Sequence, residues 1–223
     1  MIKLENIYLE NSEGQYLFND INIFISSGSL VLIKGNPSQG KTRLMKTMAM
    51  IEKPKRGKVS IMGKNIFKLE ENEISNLHKN IGIVFQEDML LKNINVYDNI
   101  SLPLIFRNEK VREINLALKE LIPWLNLGSI IKKKILDLSS SEKKLVQFAR
   151  AIIGRPRILL LDNFFNSIHE DFEKKIVYLI LALNRIGTTV IIFGEEPIFQ
   201  KLNFNGTYFI KNKTLKALDN QNK

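Results

Sequence analysis

The 223-residue sequence contains no cysteine, which excludes disulfide bonds and thiolate metal sites and agrees with a cytosolic location. No apolar run approaches the ~20 residues needed to cross a bilayer, and the longest, Ile176 to Leu183, is typical of a buried helix. Met1 to Glu5 show neither the basic head nor the apolar core of a signal peptide. Internal repeats and low-complexity linkers are also lacking. We therefore expect one globular domain over residues 1–223.

Acidic residues are fewer than basic ones, and the formal net charge is +10. A basic balance can indicate nucleic-acid binding, but the lysines are scattered and form a run only at residues 132–134. Lys, Asn and Ile share AT-rich codons, so codon bias is our first explanation. Attraction to an anionic membrane surface is the second and nucleic acid the third. We expect no specific nucleic-acid partner.

A phosphate-binding pattern, G-x-x-x-x-G-K-[ST], is complete at residues 35–42. The apolar run Leu30 to Ile33 precedes it, and apolar residues at helical spacing follow it. A strand, loop and helix in this order direct backbone N–H groups and the positive end of a helix dipole at a polyphosphate. We expect Lys41 to reach the β- and γ-phosphates and Thr42 to bind Mg²⁺. The loop residues that would bind the nucleotide are Gly35, Asn36, Pro37, Ser38, Gln39, Gly40, Lys41 and Thr42.

Alternating strand and helix patterns predict an α/β fold with a largely parallel sheet covered by helices. Short strands are expected before Ile33, where apolar residues alternate with polar ones. Residues 87–138 have helical patterns and predict a helical insertion with Trp124 in its core. The polar tail after Thr214 is expected to be frayed. Buried strands are predicted at residues 81–85, 158–161 and 189–193, and a helix at 173–185.

Further motifs resemble those of ATP-binding cassette (ABC) ATPases. Leu138 to Lys144, followed by Phe148-Ala149-Arg150-Ala151, is similar to the L-S-G-G-Q/E signature and A-R-A helix of that family. Gln86 closes a strand as the Q-loop glutamine does, and Asp162 ends an apolar strand as the magnesium aspartate does. These landmarks occur in family order and span nearly the whole chain.

The resemblance implies a P-loop ABC ATPase domain, with a mainly parallel core, an antiparallel β subdomain and a helical subdomain at about residues 87–138. It implies ATP and Mg²⁺ as cofactors, with Thr42, Gln86 and Asp162 holding the metal. It further implies that Ser139, Ser141 and Glu142 contact the nucleotide of an opposing subunit. The partner across ATP would be a second copy or another ABC subunit.

Several positions depart from the family pattern. Asn163 stands where the family has its catalytic glutamate, and Glu195 stands at the switch histidine. The other departures are Ser140 and Ser141 for the signature glycines, His169 in the D-loop, Pro37 and Ser38 in the phosphate loop, and Asn11 at the adenine-stacking aromatic, for which Tyr8 or Tyr16 are the stand-ins. Nucleotide and metal ligands are kept, while groups that drive hydrolysis are lost. We expect weak hydrolysis involving Asn163, Gln86 and Glu195, with Glu195 as an alternative general base.

Within the family, the sequence resembles the FtsE subfamily of cell-division ATPases, at residues 81–86, 96–100 and 103–105 among others. Lipoprotein-releasing (LolD-like) and macrolide-export ATPases share much of this pattern. Three interpretations remain: an FtsE-like ATPase docked on an FtsX-type membrane subunit, a nucleotide-gated scaffold that scarcely hydrolyses ATP, and a transport ATPase. The resemblance implies the cytoplasmic face of the bacterial inner membrane. Part of the insertion is expected to face a helix of the membrane subunit.

Overall fold

The computed structural model describes residues 1–195 and 202–218, and their strands form two sheets. The first sheet contains four strands in the order β2-β1-β4-β5, and all its neighbours are antiparallel. It corresponds to the short strands predicted before Ile33, joined by strands that follow the phosphate loop. The bounds are β1 (Ile2–Glu10), β2 (Tyr16–Ile25), β4 (Arg56–Ile61) and β5 (Lys64–Asn65).

The second sheet contains six strands in the order β10-β9-β3-β8-β7-β6. All of its pairs are parallel except β9 with β10, which confirms the predicted parallel core. The expectation of a frayed tail after Thr214 is wrong for Thr214–Ala217, because their backbone pairs with β9. The bounds are β3 (Leu30–Lys34), β6 (Ile81–Val84), β7 (Ile158–Asp162), β8 (Thr189–Phe193), β9 (Gly206–Lys211) and β10 (Thr214–Ala217).

Helices connect the strands of the parallel sheet. Those in the described ranges are α1 (Lys41–Met48), α2 (Glu71–His78), α3 (Val96–Ile105), α4 (Val111–Trp124), α5 (Ser140–Ile152) and α6 (Glu170–Arg185). Both α3 and α4 lie within residues 87–138. The expectation that Trp124 is a core residue is wrong: its side chain is 51% exposed and stacks on Tyr178 with ring centroids 5.7 Å apart.

The parallel sheet separates two hydrophobic cores. Val31 and Leu160 lie in the core shared with α1 and the antiparallel sheet. Their neighbours Leu32 and Leu161 lie in the core shared with helices α3 to α6. Successive side chains of a strand point to opposite faces, so strands covered on both faces need unbroken apolar runs. This requirement explains why β3, β7 and β8 were recognisable from the sequence.

The register of the parallel strands places the candidate residues at one edge of the sheet. Phe193 at the end of β8 lies beside both Ile33 of β3 and Asp162 of β7. Val84 of β6 lies beside Leu161, so the segment that begins at Phe85 leaves from the same edge. The carboxyl ends of parallel strands are the usual position of ligand sites in α/β proteins.

We expect Gly82→Ala to destabilise the protein by about 1–3 kcal/mol through overpacking. A Cβ at Gly82 would overlap the carbonyl oxygen of Ala151 and lie 3.1 Å from Pro156 Cγ, so β6 and α5 could not keep their spacing. Urea denaturation measures the effect. Gly128→Ala is the matched control, because a Cβ there meets nothing within 4 Å. Equal stability of the two variants would contradict the close packing of β6 on α5.

Candidate nucleotide-binding site

A cleft of about 960 Å³ opens at the carboxyl edge of the parallel sheet. It brings together residues from four chain segments: the phosphate loop, the end of β6, the end of β7 and the end of β8. Its lining also includes residues from the turn between β1 and β2 and from the start of β2. The lining residues are Asn11, Ser12, Leu17, Gly35, Asn36, Pro37, Ser38, Gly40, Lys41, Thr42, Arg43, Gln86, Asn163, Asn166 and Glu195.

The phosphate loop has the backbone that the motif predicts. Gly40 is the N-cap of α1, with φ of 88°, and a Cβ there would lie 2.7 Å from Phe18 Cε2. A glycine cannot cap a helix with a side chain, so the first-turn N–H groups of α1 remain available to an anion. Ser38 has φ of 64°, a conformation that favours glycine, so its replacement of the family glycine carries backbone strain.

The loop satisfies its own polar groups in this structure. Lys41 is buried, and its ammonium donates to the carbonyl oxygens of Gly35 and Asn36, the latter at 3.1 Å. The Gln39 side chain turns inward, where its Oε1 accepts from the Asn36 N–H at 2.9 Å. All residues of the loop except Gln39 line the cleft. The Lys41 ammonium therefore lies inside the loop, at the wall of the cleft.

Thr42 and Asp162 meet across 120 residues of sequence, with Thr42 Oγ1 donating to Asp162 Oδ2 at 2.6 Å. Asp162 is fully buried, and among the described residues its Oδ1 has no hydrogen-bond partner. A hydroxyl beside an unpartnered buried carboxylate oxygen is the hard-oxygen donor set that Mg²⁺ prefers, so these residues fit the metal. Burial raises the pKa of the Asp162 carboxyl and outweighs the opposing effects of Thr42, Lys41 and Lys144.

Gln86 and Asn163 are in direct contact. Asn163 Nδ2 donates to Gln86 Oε1 at 2.9 Å, and the Asn163 N–H donates to the Phe193 carbonyl at 2.8 Å. Asn163 adopts a left-handed conformation, with φ of 43° and ψ of 40°. Asparagine tolerates this region better than most side chains do, which gives a local reason for the amide at this position.

Glu195 lines the same cleft and is exposed. The N–H of Gly194, which precedes it, donates to the carbonyl oxygen of Ile33 at 3.2 Å. The cleft wall also contains Asn11, whereas Tyr8 and Tyr16, the alternatives for stacking on adenine, are not part of the lining. Those two rings contact each other edge to face, with centroids 6.0 Å apart.

Ser139, Ser141 and Glu142 lie outside this cleft, at the start of α5. Ser139 Oγ accepts from the Glu142 N–H at 3.2 Å, and Glu142 Oε2 accepts from the Ser139 N–H at 2.7 Å. This reciprocal pair is a capping box, and the hydrogen bonds from Ser139 lower the pKa of Glu142. Ser141 Oγ is buried and has no partner in the described ranges. The signature region thus begins a helix in this chain and does not line the cleft.

Lys144 is a residue of the site that the sequence did not reveal. Its ammonium is buried and donates to the carbonyl oxygens of Phe85 and Gln86, both at 2.6 Å. Desolvation lowers the pKa of this lysine, and the negative charges of Asp162 and Asp88 partly oppose that effect. The sequence did contain a signal for the burial of Lys144. This residue is four positions before the buried Phe148 and lies on the same face of the helix.

These observations define a P-loop nucleotide-binding protein with an α/β core. Residues 18–166 match the family described as "ABC transporter", so the chain belongs to this family. It is an ATP-binding cassette whose ligand is ATP, and Mg²⁺ is the usual partner of ATP in such cassettes.

Solved structures and curated proteins agree with this assignment. The dimeric bacterial ABC transporter cassette MJ0796 aligns with a TM-score of 0.89 at 25% identity, over 97% of both chains. The post-hydrolysis state of the same cassette, bound to ADP and Pi, also aligns with a TM-score of 0.89, over 98% of this chain and 99% of that chain.

Two curated relatives have similar identities. The methionine import ATP-binding protein MetN of Aliivibrio fischeri is 30% identical over 195 residues, which cover 87% of this chain and 57% of MetN. The chain therefore spans little more than half the length of that relative. The cell division ATP-binding protein FtsE of Escherichia coli K12 is 28% identical over 196 residues, 88% of each chain.

We expect Asp162→Asn to raise the melting temperature of the nucleotide-free protein at neutral pH, by roughly 2–4 °C for each kcal/mol gained. The folded protein binds the carboxyl proton more tightly than the unfolded chain does. Its unfolding free energy therefore falls as the pH rises from the unfolded pKa through the higher folded one, and asparagine avoids this loss.

Thermal denaturation between acid and neutral pH measures this difference, which should shrink in acid, where Asp162 is protonated. Asp137→Asn, at an exposed position, is the control. A lower melting temperature for Asp162→Asn at neutral pH would contradict the dominant effect of burial.

Proposed function

We propose that this chain is an FtsE-like ATP-binding subunit of an inner-membrane ABC complex. It binds Mg-ATP, dimerises across the nucleotide and hydrolyses ATP slowly. It docks at the cytoplasmic face on an FtsX-type subunit and takes part in cell division through the control of cell-wall hydrolysis. The support for this subfamily is the resemblance at residues 81–105 and the match to FtsE of Escherichia coli over 88% of both chains.

The observation that carries the proposal is an intact phosphate cradle beside an amide at the position of the catalytic base. Lys41 supplies positive charge to the phosphates, while Thr42 and Asp162 are the metal ligands. When bound, Mg²⁺ neutralises charge on the phosphate oxygens. Asn163 cannot take a proton from an attacking water, and its nitrogen donates to Gln86 in this structure. Binding is therefore retained and the hydrolytic step is slow.

Glu195 reinforces this conclusion. An ionised carboxylate in the cleft repels the γ-phosphate, where the family histidine would attract it. The alternative role for Glu195 is that of a general base, since its carboxyl group lines the same cleft as Lys41. Both roles predict that changing this residue alters turnover, but in opposite directions.

Dimerisation supplies the residues that the cleft of one chain does not contain. ABC cassettes dimerise, and we propose that Ser139, Ser141 and Glu142 contact the nucleotide held by the other subunit. The serines at positions 140 and 141 add side chains where the family has glycine, which makes this contact less close. A second copy of the chain or another ABC subunit can fill this role.

A second concavity supports docking on a membrane subunit. A groove of about 500 Å³ lies beside the strand β6 and the helix α3, and it is largely apolar. Phe106, which lines the groove, is 66% exposed, and its neighbour Ile105 is 48% exposed. A helix of a membrane subunit laid in this groove would cover these side chains.

The hydrogen bond between Asn163 and Gln86 also favours a second candidate, a scaffold that dimerises around ATP without hydrolysing it. An export or lipoprotein-release ATPase shares the motifs but requires turnover. Phosphate release measured with the membrane subunit present separates these functions: sustained release excludes the scaffold, and ATP binding without release excludes the transport ATPase.

We expect Lys41→Ala to weaken ATP binding by about 10- to 150-fold, because charged hydrogen bonds contribute about 1.5–3 kcal/mol. Titration with a fluorescent ATP analogue measures the affinity. Lys119→Ala, which removes an exposed lysine of α4, is the matched control. Unchanged affinity in Lys41→Ala would show that the loop does not hold the phosphates.

We expect the double variant Asn163→Glu/Glu195→His to release phosphate at least about tenfold faster than the native chain, since general-base catalysis typically contributes about 10²–10⁴-fold. Steady-state phosphate release with the membrane subunit is the measurement. The variant also carrying Lys41→Ala is the control for contaminating ATPase. Absence of any gain would contradict the assignment of slow hydrolysis to these two positions and would mean that the signature serines, or another feature of the chain, limit it.

A further inference from the structure

Gln86 is contacted at its backbone by Lys144 and at its side chain by Asn163, which stands where the family has a glutamate. Its backbone carbonyl accepts from the ammonium of Lys144 at 2.6 Å, and its side-chain Oε1 accepts from Asn163 Nδ2 at 2.9 Å. The side chain of Gln86 is otherwise exposed, so these contacts decide where its oxygen lies.

Hydrogen bonds from α5 fix the backbone of the segment that follows β6. Two further side chains of α5 donate to carbonyls of this segment: Gln147 to Glu87 at 3.2 Å and Arg150 to Met89 at 2.9 Å. With this backbone fixed, Gln86 can reach a different partner only by rotating its side chain. Asn163 is equally fixed, because its own N–H is bonded to Phe193 and the buried Asp162 precedes it.

The chemistry of the two amides decides which atom of Gln86 is engaged. A glutamine can bind a metal ion only through its oxygen, and this is the atom that accepts from Asn163. An ionised glutamate at position 163 could only accept, so it would engage the Gln86 nitrogen and leave the oxygen free. Asparagine in place of glutamate at position 163 therefore removes a base and also engages the oxygen with which Gln86 would bind the metal.

We propose that Asn163 is a positioning residue that competes with Mg²⁺ for Gln86 Oε1. Asn163 holds the Q-loop side chain at the end of β7. The side-chain rotation that would bring Gln86 Oε1 to the metal pair would break or lengthen this hydrogen bond. The native chain therefore requires a higher Mg²⁺ concentration for metal-dependent ATP binding than a variant without the Asn163 side chain. This inference rests on the proposed role of Gln86 as a metal ligand.

The test uses Asn163→Gly in the full chain. Glycine readily adopts the left-handed conformation of this position, and the change alters no charge. The Mg²⁺ concentration that gives half-maximal binding of a fluorescent ATP analogue should fall by about two- to tenfold, the net effect of one hydrogen bond. Affinity for the analogue in EDTA should stay unchanged, because the phosphate loop is untouched.

Two further variants make the test specific. Asn108→Gly removes the same side chain from another left-handed asparagine, outside the cleft, and should leave the Mg²⁺ requirement unchanged. In a Gln86→Ala background, Asn163→Gly should also have no effect, since the competed oxygen is gone. A double-mutant cycle in Mg²⁺ requirement thus measures the coupling of the two residues.

Each remaining outcome counts against the proposal. An unchanged Mg²⁺ requirement in Asn163→Gly, or the same decrease with and without Gln86, would overturn it. If Gln86→Ala alone leaves the requirement unchanged, the fault lies in the role assigned to Gln86. Failure of the native chain to bind the analogue in excess Mg²⁺ would instead refute the proposed function.

Discussion

The hydrogen bond from Thr42 Oγ1 to Asp162 Oδ2 joins the two parts of the chain on which the site depends. It connects the first turn of α1 to the end of β7, and both positions follow from the parallel register of β3, β8 and β7. That register brings the ends of the three strands to one edge, so the phosphate loop faces a buried carboxylate without any long loop. Burial disfavours the charged form of this carboxyl group, which raises its pKa. A cation bound beside it would offset that cost.

The arrangement at the carboxyl edge of the parallel sheet explains why loss of the catalytic glutamate leaves the phosphate loop and the Thr42–Asp162 pair intact. Position 163 follows Asp162 directly, but its backbone turns into a left-handed conformation and its side chain points to Gln86 rather than to the metal pair. The asparagine is therefore well suited to the local backbone and to a hydrogen bond with the Q-loop. The phosphate loop and the Thr42–Asp162 pair do not depend on it. Binding and hydrolysis rest on separable contacts in this chain.

Most of the fold could be predicted from residue patterns. Strands β3, β7 and β8 are buried on both faces, so their apolar runs are unbroken and unmistakable. Helix ends were less accurate: α1 ends at Met48 although Ile51 continues the helical spacing, and Ile51 is 48% exposed. Trp124 was misplaced because hydrophobicity alone does not reveal that its ring would stack on Tyr178 at the surface.

The sequence by itself determined the phosphate loop, the order of the motifs and the substitutions at positions 163 and 195, because these are local patterns of residue type. Only the tertiary structure decided which side chains meet. It placed Lys144, in a run of charged residues, in a buried position beneath Gln86, and it brought Asn163 into contact with a residue 77 positions away. Contacts of this kind depend on the register of strands and on the packing of α5 against β6. Neither is encoded in the spacing of residues along one segment.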